Sequence, residues 1–367
     1  MADIYFRVDG NSIISTGHVM RCLSIARACK NLRRNNSCEG GIYFLVSDEE
    51  SEALVTERMC DKDDFEIINL KSRYDCLEVE TDKYENIVKN PESRPWIFVD
   101  SYFATPQYFE SLRKFFKVAY LDDLREFPCD VDLLINYDTE KDCDYYAGAV
   151  TKLLGPEYTP LREQFVDVTY TVKREVGDIL ISTGGTDPYG VALKLTERLV
   201  NGEVGSSFTY HILAGRSNRY YEELVALANN NPQVCIHEGV QDMASLMASC
   251  DLAVSAGGVT LCELAAVGVP SVSFSMADNQ MIAVENFDKR ELIPYCGDVR
   301  GDGFESAENT TDVTDTFDTT DAIGRMVSQL LELAGDYSLR MEKSAMLRAY
   351  IDGQGAAKIA AKIVYVV

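Results

Sequence analysis

Three histidines are all that this chain contains, and only one, His18, falls within the first 210 residues. Histidine is the side chain whose ordinary titration lies near neutrality. The scarcity therefore leaves one imidazole as the candidate base of the N-terminal half. Basic residues are also short: 35 Lys and Arg stand against 59 Asp and Glu, for a net charge of −24. A surface this acidic repels phosphate backbones and anionic membranes, which argues against nucleic-acid partners and membrane docking. It leaves room for a small anionic ligand held by backbone amides at a helix start. No apolar run reaches the ~18 residues that would span a bilayer. The opening Met1-Ala2-Asp3-Ile4 lacks a basic region followed by an apolar core, so no signal peptide and a cytoplasmic location are expected. The eleven cysteines include no CxxC pair, and their odd number argues against a disulfide framework. Cys22, Cys29 and Cys262 fall in helical patterns and read as small buried hydrophobes rather than nucleophiles.

What is present is an alternation of short apolar strands and helical stretches. Ile4–Val8, Gly41–Val46, Phe65–Ile68, Trp96–Asp100, Val118–Asp122 and Leu133–Asn136 read as strands, which points to a parallel sheet covered on both faces. A second series begins at Gly177–Ser182 and continues through Phe208–Leu213, Val234–Ile236, Leu252–Ser255 and Pro270–Phe274. At 367 residues, two domains of roughly 150–200 residues each are expected. The boundaries predicted are residues 1–155 for an N-terminal Rossmann-like domain, and 156–176 for a hinge marked by Pro156 and Pro160. Residues 177–336 are expected to form a C-terminal Rossmann-like domain, and 337–367 a helical segment broken near Gly353. The fold class is thus α/β, with two parallel sheets facing a central cleft. Residues 69–95 read as a polar excursion or extra helix, and 309–321 as a solvated loop without chemistry.

Three segments carry chemistry. Thr16-Gly17-His18-Val19-Met20-Arg21 lies where the first strand hands over to a helix striped by Val19, Cys22, Leu23 and Ala26 at 3.6-residue spacing. Ligands of open α/β sheets bind at such loops, and a helix N-terminus favours the neutral imidazole that a general base requires. A capping or core-packed histidine is the alternative. Asp9 is placed either to orient that imidazole or to cap its own loop, and Arg21 to reach substrate or, preferably, to pair with a carboxylate such as Asp9. Ser255-Ala256-Gly257-Gly258-Val259-Thr260, running to Glu263, is a strand, a glycine pair and a helix start suited to a phosphate. Glu263 is positioned to hold a ribose diol, or else to close a capping box with Thr260. Thr183-Gly184-Gly185-Thr186-Asp187-Pro188 is a second glycine turn, with Pro188 expected in the first turn of the next helix. Asp122-Asp123 read as loop-holding residues. No P-loop or GxGxxG is present, and no acidic cluster marks a metal site, so neither metal nor cofactor is expected.

Taken together these segments resemble one family: the UDP-sugar hydrolases of pseudaminic acid biosynthesis, the SpsG-like group, distant relatives of the MurG glycosyltransferase. The residues that carry the resemblance are Arg7-x-Asp9, Gly17-His18-Val19-Met20-Arg21-Cys22, the Gly184–Pro188 turn and the Gly257-Gly258…Glu263…Asn279-Gln280 block. Leu153-Gly155-x-x-Tyr158-x-x-Leu161-Arg162 and Asp352-Gly353-x-Gly355-Ala356 complete it. The resemblance implies a GT-B fold and hydrolysis of UDP-2,4-diacetamido-2,4,6-trideoxy-β-L-altropyranose with inversion at the anomeric carbon. It implies His18 as general base and Tyr102 as an active-site tyrosine, with Gly17, Arg21, Asn279 and Gln280 near the sugar. UDP would be held by Gly184, Gly185, Ser255, Gly257, Gly258, Val259, Thr260 and Glu263. The competing expectations are an inverting GT-B glycosyltransferase, a hydrolysing 2-epimerase and a non-catalytic UDP-sugar-binding protein. The sequence does not set the oligomeric state; a monomer is compatible with it.

Overall fold

The computed structural model describes residues 2–11, 14, 16–36, 40–88, 91–138, 144–202, 207–300 and 321–365. The chain forms two compact units: Met1–Glu163 with Gly353–Val367, and Gln164–Asp352. The loop expected at 309–321 lies outside the described residues except for Asp321.

In unit 1 the elements are β1 (Ile4–Val8), α1 (Gly17–Asn35), β2 (Ile42–Val46), α2 (Glu49–Arg58), β3 (Glu66–Asn69), α3 (Tyr84–Ile87), β4 (Trp96–Asp100), α4 (Pro106–Leu112), β5 (Lys117–Leu121), β6 (Leu133–Asn136) and β7 (Thr151–Leu154). The seven strands pair in parallel in the order β3-β2-β1-β4-β5-β6-β7. β1, β2 and β4 are buried along their whole length. They read as continuous apolar runs because both faces of the sheet are covered. Phe6, Phe44 and Phe98 face a core shared with Val19, Cys22, Ile25 and Cys29 of α1. Tyr5, Leu45, Ile97 and Val99 face the opposite core with Tyr108, Phe109 and Leu112 of α4.

Unit 2 repeats the scheme with β8 (Asp178–Ser182), α5 (Val191–Asn201), β9 (Thr209–Leu213), α6 (Tyr221–Asn230), β10 (Val234–His237), α7 (Met243–Ser249), β11 (Leu252–Ala256), α8 (Val259–Val267), β12 (Ser271–Ser275), α9 (Met281–Lys289), β13 (Tyr295–Asp298), α10 (Ala322–Gly335) and α11 (Tyr337–Tyr350). Its sheet is also parallel, in the order β10-β9-β8-β11-β12-β13. The final helix α12 (Gly355–Tyr365) returns to unit 1. There Ile359, Ala360, Ile363 and Val364 join the core lined by α1 and β1. Gly355 is needed for that return, since a Cβ there would collide with the Thr159 carbonyl oxygen.

Of the two readings offered for 69–95, the described residues hold the extra helix rather than the polar excursion. A 3-10 turn over Leu77–Lys83 precedes α3, and it buries Leu77, Glu80 and Tyr84 completely.

Candidate active site

Parallel order places the carboxyl ends of β1, β4, β5 and β6 along one edge of the unit 1 sheet, where α/β proteins build their sites. His18 is the second residue of α1 and is only 3% exposed. β4 lies beside β1, with Val8 opposite Asp100, so the Asp100 carboxylate meets the imidazole: Nδ1 stands 2.5 Å from Oδ1. Arg21 Nη2 also stands 3.0 Å from Nδ1, but the carboxylate is closer and can only accept, so we assign the proton of the neutral ring to Nδ1, leaving the lone pair on Nε2. Among the described residues no hydrogen bond to Nε2 is found. The Tyr102 ring meets the imidazole edge to face, with centroids 4.5 Å apart.

Arg21, one turn further along α1, fixes Asp100 from the other side. Its Nε donates to Oδ2 and its Nη2 to Oδ1, both at 2.5 Å. The same guanidinium donates to Asp123 through Nη2 at 2.7 Å and to the Tyr137 hydroxyl at 2.7 Å. Burial would raise the Asp100 carboxyl, but Arg21 and His18 outweigh it and hold the group well below the usual carboxylate range. Asp100 is therefore a fixed anion against Nδ1. The Cys22 thiol also points at Asp100, 3.7 Å away, and burial with that neighbouring charge pushes it well above its ordinary value. It is no nucleophile at neutral pH.

Two sequence expectations are corrected here. Asp9 does not orient His18, and Arg21 pairs with carboxylates as expected but with Asp100 and Asp123 rather than Asp9. Asp9 instead accepts from Arg7 Nη1 at 2.6 Å and from the Ser47 amide at 2.7 Å. Arg7 in turn donates to Glu80 at 2.6 and 3.0 Å. Glu80 also accepts from Tyr84, Tyr108 and Ser72. Asp9 thus anchors the start of the loop leading to Gly17 and His18 within a buried polar network. Asp122 does hold its loop, accepting from the Leu124 and Arg125 amides at 3.0 and 2.9 Å. Asp123 does not; it belongs to the Arg21 cluster. The sequence marks Asp100 and Asp122-Asp123 as strand-end carboxylates at the sheet edge where sites form; what it misses is the partnership of Asp100 with His18 and Arg21, and of Asp123 and Tyr137 with Arg21.

In unit 2 the strand β11 turns at Gly257-Gly258 into α8. The helix starts at Val259 with Gly258 as its N-cap and no side-chain cap. The capping box expected from Thr260 is therefore absent, because Thr260 already lies inside the helix. Uncapped first-turn amides at an exposed glycine are a natural anion cradle. Gly258 has open space where a Cβ would stand, whereas Gly257 is buried and its Cβ would meet Val284 at 2.5 Å and the Gln280 carbonyl at 3.0 Å. The two glycines thus differ: one leaves the surface open, and the other brings the Asp278–Gln280 turn against the strand end. Gln280 Oε1 accepts from the Met276 amide at 2.9 Å, and Asn279 is exposed. Glu263 is buried on α8, and Ser255 donates to the Ala256 carbonyl at 2.9 Å.

The second glycine turn, Gly184-Gly185, is exposed after β8, and Gly184 takes φ +85°, a conformation suited to glycine. The following helix starts at Val191, later than expected, with Gly190 as N-cap. Asp187, rather than Pro188, serves its first turn by accepting from the Val191 and Ala192 amides at 2.9 Å each.

No family model matches the chain. The chain is 24% identical over 317 residues to an uncharacterized protein of Methanocaldococcus jannaschii, covering 82% of this chain and 61% of that one. It is also 24% identical over 219 residues to the spore coat polysaccharide biosynthesis protein SpsG of Bacillus subtilis, covering 59% of each. The chain thus spans about three fifths of the length of the curated relatives it matches. Among solved structures it is similar to MurG of Acinetobacter baumannii, with a TM-score of 0.65 at 14% identity over 99% of both chains. It is also similar to Anabaena HepE in complex with UDP and glucose, with a TM-score of 0.54 at 12% identity over the whole of both chains. The fold is GT-B, with two Rossmann-like parallel-sheet domains.

Proposed function

We propose that the chain is a UDP-sugar hydrolase, acting on UDP-2,4-diacetamido-2,4,6-trideoxy-β-L-altropyranose or a close diacetamido analogue, with His18 as general base. The observation that carries this reading is the His18–Asp100 pair, in which the carboxylate presents Nε2 as the basic nitrogen at the carboxyl edge of the sheet. Sequence similarity to a polysaccharide biosynthesis protein and the fold shared with a structure holding UDP and glucose support a sugar nucleotide as substrate.

In this reading a water gives its proton to His18 Nε2 as its oxygen bonds to the anomeric carbon. The bond from that carbon to the phosphate oxygen breaks, and UDP leaves with the electron pair. The imidazolium keeps its Nδ1 proton on Asp100, whose fixed charge stabilises it. Within unit 2, the amides of the Gly258 turn and of the Gly184-Gly185 turn are assigned to the diphosphate, and Glu263 to the ribose.

The test is time-resolved proton NMR of the protein with this sugar nucleotide and no acceptor. Release of UDP, with the inverted free anomer appearing first, is the expected outcome. A substrate that binds but stays intact would replace this reading with a transferase awaiting its acceptor, or with a binding protein.

A further inference from the structure

Asp100, Asp122 and Asp123 stand at the sheet edge that carries His18, and their hydrogen bonds divide them. The Asp100 side chain is 1% exposed. Its Oδ1 accepts from His18 Nδ1 and Arg21 Nη2, and its Oδ2 from Arg21 Nε and the Cys22 thiol. A carboxylate has about four lone-pair sites, so Asp100 is fully engaged. Asp122 is buried and accepts from the Leu124 and Arg125 amides and the Tyr146 hydroxyl. Asp123 differs. Among the described residues each of its oxygens accepts one bond, Oδ1 from Arg21 Nη1 at 3.2 Å and Oδ2 from Arg21 Nη2 at 2.7 Å. Its side chain is 18% exposed. About two lone-pair sites therefore remain, on a carboxylate that the guanidinium holds in place. The same Nη2 stands 3.0 Å from His18 Nδ1, so one guanidinium nitrogen links Asp123 to the imidazole.

We propose that Asp123 is a substrate-contacting residue of the His18 site, whose oxygens accept a hydrogen bond from an acylamino N–H or a hydroxyl of the bound sugar. The proposal rests on the hydrolase reading for its substrate. The polarity is complementary. An acylamino N–H can only donate, and leaving it unpaired in a closed site costs the desolvation of that group. A carboxylate makes the stronger, charge-assisted form of this bond. Of the three carboxylates, Asp100 and Asp122 are buried and occupied, which leaves Asp123 as the acceptor with room for a ligand. The diphosphate is not a partner for it, because two anions would be brought together.

Two measurements test it on the full chain. The first is titration with UDP and with the sugar nucleotide in a His18→Ala background, which slows turnover. Asp123→Asn keeps a neutral acceptor and should weaken the sugar nucleotide about tenfold, and Asp123→Ala should weaken it further. The Kd of UDP should not move in either variant. Unchanged affinity for the sugar nucleotide in Asp123→Ala would overturn the proposal. Equal losses for the sugar nucleotide and UDP would overturn it too, since they mark a general disturbance of the fold. UDP-glucose, with hydroxyls in place of the acylamino groups, separates the two donors: Asp123→Ala weakens it only if a hydroxyl is the one bound. The second measurement is steady-state kinetics with His18 in place. A lost sugar contact raises KM. A fall in kcat at constant KM would mean that Asp123 only supports Arg21 and Asp100, and would exclude it from substrate contact. A protein that binds the sugar nucleotide yet releases no UDP ends the hydrolase reading, while the titrations still decide Asp123.

Discussion

At the scale of single residues, the site is a chain of dependence: Arg21 fixes Asp100, Asp100 orients His18, and in the proposed reaction His18 takes the proton. Positioned general-base catalysis contributes about 10²–10⁴-fold, so His18→Ala should cost turnover by that order while leaving UDP affinity nearly intact. Asp100→Asn presents an amide that can donate to Nδ1 and so favours the wrong tautomer. It should lower kcat by a comparable factor with little change in KM. Because the two residues act as one unit, the double variant should be no slower than His18→Ala alone. Additive losses in steady-state kinetics would separate them. A sequence alone could identify His18, which is isolated by scarcity and set at a strand–helix junction. It could not pair His18 with Asp100, 82 residues away, because that contact depends on β4 lying beside β1. Asp123 carries no sign of its partner either; it reads as a loop acid until Arg21 is placed against it.

At the scale of elements, the two glycines before α8 separate packing from binding. Gly257→Ala must push a methyl into Val284 and the backbone carbonyl of Gln280, an overpacking that typically costs 1–3 kcal/mol. Its signature should be a lowered Tm. Gly258→Ala meets nothing within 4 Å. Its Tm should therefore stay close to wild type while UDP affinity falls, because the methyl occupies the space a phosphate would take. Calorimetry for one property and titration for the other give the check, and equal UDP affinities in Gly258→Ala and wild type would remove this turn from the binding site. A third element, the 3-10 turn at Leu77–Lys83, illustrates what composition conceals. Its acidic sequence suggests a solvated segment, yet Glu80 is fully buried and paired to Arg7 at 2.6 Å. Removing one partner of a buried ion pair strands the other charge, at a cost of about 3–5 kcal/mol. Glu80→Gln should therefore destabilise unit 1 by that order in urea titrations. Most strands were legible because a doubly covered parallel sheet demands uninterrupted apolar runs; β7 and β13, which are only partly buried, were not expected. The helix starts were less so: a cap depends on which side chain reaches which amide, as Asp187 and Gly258 show.

At the scale of the whole molecule, acid and topology bear on the two units differently. The other two histidines form a chain in unit 2, with His211 Nδ1 2.9 Å from His237 Nε2 and His211 Nε2 3.1 Å from Asp178. Burial and the neighbouring His211 lower His237. A histidine lowered on folding gives stability that is present above about pH 6.5 and lost as pH falls through that value. Asp100, held low in unit 1, contributes stability that is lost only below the ordinary carboxylate range. Unit 2 should thus begin to weaken first on acidification, and His237→Gln should flatten the loss of its Tm between pH 7 and 5. The alternation of elements along the chain announces two sheets, but it does not announce that the chain end crosses back to the first. Nothing local in Gly355–Tyr365 says whose core it fills; only the contacts of Ile359, Ile363 and Val364 with the α1 face do. Burying each of these side chains is worth roughly 1.5–3 kcal/mol, a sum comparable to the total stability of about 5–15 kcal/mol of a domain. A chain ending at Asp352 should therefore lose the unit 1 transition in calorimetry and expose that unit to proteolysis. The unit 2 transition should persist, since its core closes without α12. Survival of both transitions would mean that the sheet and α1 alone suffice to hold unit 1, and that the returning helix serves another purpose.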